Sequence, residues 1–164
     1  MAQDGVTFAG DVTINSLELI AGSTKLDIRN QIANIEFFED IFSPFITGKV
    51  VISDTQDLIN RMPLIGQEIL QVNIETPELP GGKLKGSFYV NKLTERVALG
   101  DTKIGYVLHF ISTDAVKDKN NSLEAAKKGF CSNIIQDIVK EDANGLQSTK
   151  NLISSLFKKK LKGI

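Results

Sequence analysis

Apolar and polar residues alternate through most of the first two thirds of the chain, which predicts a series of β-strands. The regular case is Gln67–Thr76, where every second residue from Leu70 to Ile74 is apolar. Residues 46–53 follow the same rule, with Val50 on the inner side. Further alternating runs are Asp11–Ile20, Leu26–Phe42, Leu84–Val97 and Lys103–Ser112. The pattern predicts about six strands, the content of a small barrel or sandwich.

The alternation changes phase at two places, near Asn15–Ser16 and near Ala33–Asn34. In a strand such a slip predicts a β-bulge, and long bulged strands bend as a sheet does when it closes toward a barrel. Turn sequences join consecutive strands, PELPGG at 77–82 and Gly100-Asp101. Sequential hairpins predict an antiparallel barrel, closed or nearly so, and argue against a parallel doubly wound sheet.

Helical signals interrupt and follow the strands. Residues 54–61 predict a short helix capped by Asp54 or Thr55 and stopped by Pro63. Beyond Ser112 the apolar spacing becomes helical. Ser132 can cap one helix, which ends at Asn144-Gly145. The apolar face of that helix consists of Ile134, Ile135, Ile138 and Val139.

A second helical pattern runs from Leu152 to Leu161 and has four lysines in its last turns. The predicted fold is therefore α+β and mainly β: an antiparallel bulged barrel with a short helix between strands and one or two C-terminal helices. Residues 1–115 form the predicted barrel domain. Residues 116–164 form a helical segment, either complete or the start of a further domain.

The composition limits the number of domains, the kind of partner and the location to be expected. The chain has 164 residues, 41% of them hydrophobic and 24% charged, which suits one domain with an appendage. A net charge of −1 gives no reason to expect a polyanionic partner. The single cysteine, Cys131, excludes an internal disulfide. No basic, apolar leader and no run of about 20 apolar residues is present, so we expect a soluble, non-secreted protein that does not span a membrane.

Candidate chemistry is sparse. His109 is the only histidine and lies mid-strand, so a structural role is favoured over acid–base work. Glu36 and Asp40 would share one face of an extended strand about 13 Å apart, too far for paired catalytic carboxylates. No phosphate-binding loop, dinucleotide fingerprint or nucleophile elbow occurs. We predict no catalytic residue, no cofactor and no metal ligand, and therefore no enzyme.

The lysine-rich tail has three interpretations. Its helix could pack on the barrel, dock on a partner, or lie on a membrane surface. The chain has no tryptophan to anchor a membrane-surface helix, so the first two are favoured.

The stretch Glu36–Asp54, EFFEDIFSPFITGKVVISD, has four of the nine phenylalanines within nine residues, interleaved with acids. So much aromatic area beside carboxylates indicates a contact surface with one wet side. The residues predicted to form a subunit interface are Phe37, Phe38, Ile41, Phe42, Pro44, Phe45 and Ile46. Because neighbours on a strand point to opposite faces, one of Phe37 and Phe38 must belong to the core. Phe42 and Phe45, which flank Pro44, are the favoured contact residues.

The run FEDIFSPFITGKVVISDTQDLINRMPLIGQEILQVNIETP resembles the start of baseplate hub proteins of contractile-tailed bacteriophages. The similarity is densest over Ile35–Pro77 and continues more loosely to about residue 142. It consists of short matches and contains no catalytic motif.

The resemblance implies a tail-tube-type barrel in a virion structural protein. Hub proteins form a ring that connects the tail tube to the central spike. DNA would then be passing cargo, and the protein would be assembled in the host cytoplasm and located in the virion baseplate. Partners would be further copies, as a trimer or hexamer, with tube and spike proteins.

This chain departs from the two-barrel members of that family, because it has room for one barrel. It is either a piece of a longer hub protein or a single-barrel subunit of a sixfold ring. The alternative from another class is a monomeric β-barrel module that binds a ligand or carbohydrate.

Overall fold

The computed structural model describes six ranges of residues and a short backbone segment. They are 11–43, 45–62, 64–76, 82–120, 127–140 and 145–148, with the backbone of 160–161. The chain forms two compact units, Met1–Thr113 and Asp114–Ile164. The sequence predicts a boundary two residues later.

Seven strands in the first unit form one antiparallel sheet, so the predicted mainly β, antiparallel class is confirmed. The strands are β1 (Thr13–Ala21), β2 (Thr24–Asp27), β3 (Ile32–Phe38), β4 (Thr47–Asp54), β5 (Ile69–Glu75), β6 (Lys83–Ala98) and β7 (Ile104–Ser112). Their order across the sheet is β2-β1-β5-β6-β7-β4-β3. The sheet curls as a half-barrel whose edge strands, β2 and β3, are not joined by a ladder in the described residues.

The sheet has seven strands and not the predicted six, because residues 26–42 do not form one strand. A 3₁₀ turn at Arg29–Gln31 separates β2 from β3, and β3 ends at Phe38. The amide of Ile28 donates to the carbonyl of Leu17 at 3.0 Å, which ties this corner to β1. The apolar residues of the run therefore serve two edge strands and a turn.

Alternation places one face of each strand in the core, as predicted. Leu70, Val72 and Ile74 of β5 are buried, and so are Val50 and Ile52 of β4. Strands β1, β6 and β7 supply Leu17, Leu19, Phe88, Val90, Tyr106, Leu108 and Phe110, and Ile28, Leu58 and Met62 join the core from outside the strands. The rings of Phe37, Phe88 and Phe110 pack with centroids 5.1–5.8 Å apart.

Both predicted bulges are present. The β1–β5 register shifts between Ile14 and Ser16, and the β3–β4 register shifts between Ile32 and Asn34. Two more occur in β6, after Val90 and after Thr94. These two bulges are not apparent in the sequence, because Leu84–Val97 contains too many polar residues to show a change of phase.

Two buried carboxylates organise the connection from β4 to β5. Asp54 accepts hydrogen bonds from the amides of Gln56 at 2.9 Å and Leu58 at 2.7 Å. Glu68 accepts from the amides of Ile65 at 2.6 Å and Gly66 at 3.0 Å. Buried carboxylates need such partners, and each bond fixes part of the connecting loop.

The predicted short helix is α1 (Leu58–Arg61). Asp54 accepts the first helical amide, as expected of a cap, although the residue directly before the helix is Asp57. The hydroxyl of Tyr106 also donates to Asp54, at 3.3 Å. Burial, and then the Asp54 carboxylate, raises the pKa of Tyr106 well above its ordinary value. The predicted helix stop, Pro63, lies outside the described residues.

Beyond β7 the chain forms α2 (Thr113–Asn120), β8 (Gly129–Phe130), α3 (Cys131–Lys140) and β9 (Lys160–Leu161). The helix predicted from Ser132 is α3, whereas α2 was not predicted. β9 pairs antiparallel with β8, so the prediction of a helix through Lys160 and Leu161 is wrong at those two residues. The rest of that predicted helix, and Asn144, lie outside the described residues. Among those described, no helix has the length and apolar character needed to cross a membrane.

Candidate partner interface

The loop between β3 and β4 is held by its own polar groups. Asp40 Oδ1 accepts from the amide of Phe42 at 2.9 Å, and the amide of Ser43 donates to the carbonyl of Asp40 at 3.1 Å. The Ser43 hydroxyl donates to the carbonyl of Phe45 at 3.2 Å. Aspartate and serine fix turns in this way by bonding to nearby backbone. The loop conformation therefore does not depend on burying its apolar side chains.

Three apolar side chains at this loop face solvent. Ile41 is 92% exposed, Phe42 is 93% exposed, and Phe38, the last residue of β3, is 51% exposed. We call these three residues the knuckle. Large apolar side chains grouped on a surface mark contact sites more often than isolated ones do. An ordered turn that holds them outward is suited to insertion into a partner.

The other predicted interface residues lie differently. Phe37 points inward, with its ring centroid 5.3 Å from that of Phe110, so alternation divides Phe37 from Phe38 as predicted. Phe45 is half-buried, and Ile46 packs partly against the core. Phe45 is thus less available for a contact than Phe42. Pro44 lies outside the described residues.

Carboxylates surround the knuckle. Glu36 lies 3.2 Å from Lys49 Nζ and accepts from the Asn34 amide at 2.9 Å. Asp40 belongs to the turn, and Glu39 is exposed. Glu36 and Asp40 each have their own structural partners and do not form a pair.

Phe38 of the knuckle is the last member of a row of outer-face residues that crosses six strands. Strand register places Ile20 opposite Ile69, Ile69 opposite Tyr89, and Tyr89 opposite Ile111. The row continues through Thr47 to Phe38. Its members on β1, β5, β6 and β7 are half-buried, while its β3 end is exposed. We call this the apolar row. The apolar row cannot be recognised from the sequence. Its residues come from six separate strands, and the sequence does not show the register between strands.

A polar row lies next to it. His109 stands opposite Lys92 on one side and Lys49 on the other, and Lys49 stands opposite Glu36. The His109 ring is bonded through Nε2 to the Thr94 hydroxyl at 2.9 Å. Two strand spacings of about 4.8 Å separate His109 from Glu36, with a lysine between them. This arrangement does not form an acid–base pair.

Within the described part of the chain, no group of three or more His, Cys, Asp or Glu side chains is placed to hold a metal ion.

A groove of about 400 Å³ runs along the inner side of edge strand β3. Eight of its nine lining residues are apolar. The walls are formed by Val12, Ile14, Ile32, Ala33, Asn34, Ile35, Phe37, Ile74 and Leu84. The groove lies between β3 and the strands β1, β5 and β6, where the half-barrel is not closed. Its size is that of a small-molecule site, with few polar groups to orient a ligand.

The residues that carry the phage resemblance have structural roles here. Asp54 and Glu68 fold the β4–β5 connection, and Gly66 between them has a φ of +86°, which glycine adopts at little cost. Phe38, Ile41 and Phe42 of the same run form the knuckle. Neither a protein-family model nor a curated protein sequence matches this chain. The similarity therefore rests on the motif itself.

Proposed function

We propose that this chain is a structural subunit of a phage tail baseplate, forming part of a hub ring between the tail tube and the central spike. The observation that supports the proposal is the knuckle. Ile41 and Phe42 are more than nine-tenths exposed on a turn fixed by hydrogen bonds. Exposed apolar area of this kind is stabilised only when a partner covers it.

The sheet also has the edges that a ring requires. Among the described strands, β2 and β3 each have one neighbour, so one side of each has backbone groups available for pairing. The match to hub proteins is densest over Ile35–Pro77, which includes the last four residues of β3, the knuckle and the whole β4–β5 connection. Since the described residues contain one seven-stranded curled sheet, a sixfold ring would need six copies.

Solution mass tests the proposal. The full chain should form a discrete oligomer in sedimentation velocity at high concentration, and electron micrographs should show rings. Phe42→Ser should weaken the assembly at least tenfold, because interface aromatic residues act as hot spots. Ile135→Ser is the matched control, since Ile135 is 52% exposed and belongs to α3 in the other unit. A chain that stays monomeric and binds neither tube nor spike proteins would overturn the proposal.

The groove supports a second candidate function, that of a monomeric ligand-binding module. Its apolar walls suit a hydrophobic ligand and not a carbohydrate, which needs oriented polar groups. A fluorescent hydrophobic probe distinguishes the candidates. Saturable binding by a strict monomer, lost in Ile35→Asp and kept in Phe42→Ser, would favour the module over the ring subunit.

A further inference from the structure

Strand β6 of the β6–β7 hairpin extends past its neighbour β5, whereas β7 stays paired with β4 as far as Ile104. Pairing of β6 with β5 ends at Tyr89, so from Asn91 onward β6 is paired only with β7 among the described strands. We call residues 91–103 the arm. Val97 is 56% exposed and Leu99 is 52% exposed, so the arm is a second apolar surface.

A bulge sets the direction of the arm's apolar side chains. Leu93 stands opposite Leu108 of the core, whereas Val97 stands opposite Gly105. One extra residue lies between them, where Glu95 has a positive φ of 55°. The bulge therefore moves Val97 to the outer face of the sheet, the face to which Phe38 also points. Leu99 covers Gly105 on the same face, with Cδ1 2.9 Å from where a Cβ of Gly105 would lie.

The knuckle and the arm lie at opposite ends of the same strands. Thr47 pairs with Ile111 at the knuckle end, and Asp54 pairs with Ile104 at the arm end. Seven residue steps along β4 separate the ends by about 24 Å at the rise of an extended strand. The knuckle of one chain cannot reach its own arm.

The charges of the two surfaces are complementary. Residues 39–46 contain two carboxylates, Glu39 and Asp40, and no cation. The arm contains three cations and two carboxylates, a net charge of +1 (3 − 2). Its cations are Lys92, Arg96 and Lys103, and all three are exposed. A knuckle against a second knuckle would bring four carboxylates together, whereas a knuckle against an arm joins opposite charges.

We propose that the knuckle of one copy docks on the outer face of the arm of the next copy. Phe42 and Ile41 pack against Val97 and Leu99, and the acids of the turn face Lys92 and Lys103 of the arm. Such a contact joins two different surfaces, so it propagates from copy to copy and closes as a ring when the rotation permits. This pairing rests on the proposed ring assembly and names the surfaces that form it.

Crosslinking between two single-cysteine variants tests the pairing. Both variants have Cys131→Ser, which removes the only natural cysteine. One has Phe42→Cys and the other Val97→Cys, and a short bifunctional maleimide links cysteines that are close. Because Phe42→Cys also weakens the contact, the variants are mixed at a concentration more than about tenfold above that at which the parent chain associates. The mixture should yield a dimer of twice the chain mass, and neither variant alone should yield one. Val12→Cys replaces Val97→Cys in the control, since these valines are 54% and 56% exposed.

Four outcomes overturn the pairing. Dimers of Phe42→Cys alone would show that the knuckle packs on itself. Equal yields with Val97→Cys and Val12→Cys would show random collision. Assembly into rings without any Phe42–Val97 crosslink would reject this pairing and leave the proposed ring intact. A chain that remains monomeric at high concentration and binds no tube or spike protein would reject both.

Salt dependence gives a second measurement. Because opposite charges face each other in the proposed contact, association should weaken at least severalfold as ionic strength rises. Glu39→Lys should weaken association, and Glu39→Lys mixed with chains having Lys92→Glu and Lys103→Glu should restore part of it. Absence of both effects would contradict the charge pairing.

Discussion

At the scale of single residues, Gly48 shows how closely the inner face of the sheet is packed. A Cβ at this position would lie 2.6 Å from Cε2 of Phe110 and would also collide with the carbonyl of Glu36. Neither neighbour is the end of a flexible chain. The absence of a side chain at Gly48 therefore allows the aromatic cluster of Phe37, Phe88 and Phe110 to form.

Replacing this glycine by alanine tests that view. Gly48→Ala should lower the free energy of unfolding by about 1–3 kcal/mol, the usual cost of overpacking. Gly86→Ala is the control, because its added Cβ would lie 3.3 Å from Cε2 of Phe88, a tight but tolerable contact. The control should stay within about 0.5 kcal/mol of the parent chain in urea unfolding. Equal effects at both glycines would contradict the assigned collision.

Tyr106 gives a prediction about pH. Burial and the Asp54 carboxylate raise its pKa in the folded state, while the unfolded chain keeps the ordinary tyrosine pKa of about 10. The neutral phenol thus contributes stability that is fully present below pH about 10 and is lost as the pH rises toward the folded pKa. Urea unfolding from about pH 8 to about pH 11 should show this loss.

Tyr106→Phe isolates the contribution of the Tyr106 hydroxyl to the pH dependence of stability. The variant should be less stable by about 1 kcal/mol near pH 8, because it lacks the hydrogen bond to Asp54. Its stability should fall less steeply with alkaline pH, so the difference between the two proteins should narrow. Parallel curves would contradict the raised pKa.

At the scale of elements, the β3–β4 hairpin contains one residue that stabilises the fold and another that is predicted to contact a partner. Phe37 and Phe42 are five positions apart, yet one contacts the core and the other is exposed. Strand alternation turns Phe37 inward, and the turn bonded by Asp40 directs Phe42 outward. Two residues of the same type within one hairpin thus have different predicted roles.

Paired substitutions measure this separation. Phe37→Ser should lower the free energy of unfolding by about 2–3 kcal/mol, less than for a fully buried phenylalanine because its ring is half-buried. Phe42→Ser should change it by no more than about 0.5 kcal/mol, as for other exposed positions. Chemical denaturation at low protein concentration, where association does not contribute, checks both. A large loss with Phe42→Ser would show that the knuckle is part of the fold.

At the scale of the whole molecule, the first unit has a core of its own. The core cluster runs from Leu17 to Phe110, all within Met1–Thr113. β7 is central to it, since it pairs with β4 on one side and β6 on the other and supplies Tyr106, Leu108 and Phe110. Units with their own cores fold independently as a rule.

Truncation tests this independence. A chain that ends at Thr113 should keep its antiparallel β signal in circular dichroism and unfold cooperatively in urea. A chain that ends at Leu99 lacks β7 and should be unfolded. If the chain ending at Thr113 is unfolded as well, the first unit depends on residues beyond it.

The amino-acid sequence by itself determined the local features. It established which face of each strand is apolar, the bulges at Asn15–Ser16 and Ala33–Asn34, a helix cap at Asp54 or Thr55, and the placement of Phe37 and Phe38 on opposite faces. These features follow from the two-residue period of an extended backbone and from hydrogen bonds between near neighbours, both of which are written in consecutive residues.

Only the tertiary structure decided which strands are neighbours and in what register. That choice separated β2 from β3, left the half-barrel open beside an apolar groove, and aligned residues of six strands in the apolar row. It also placed Lys160 and Leu161 in a strand where local spacing predicts a helix. The physical reason is that pairing energies depend on residues far apart in the chain, and the period of any one segment contains no information about its partner.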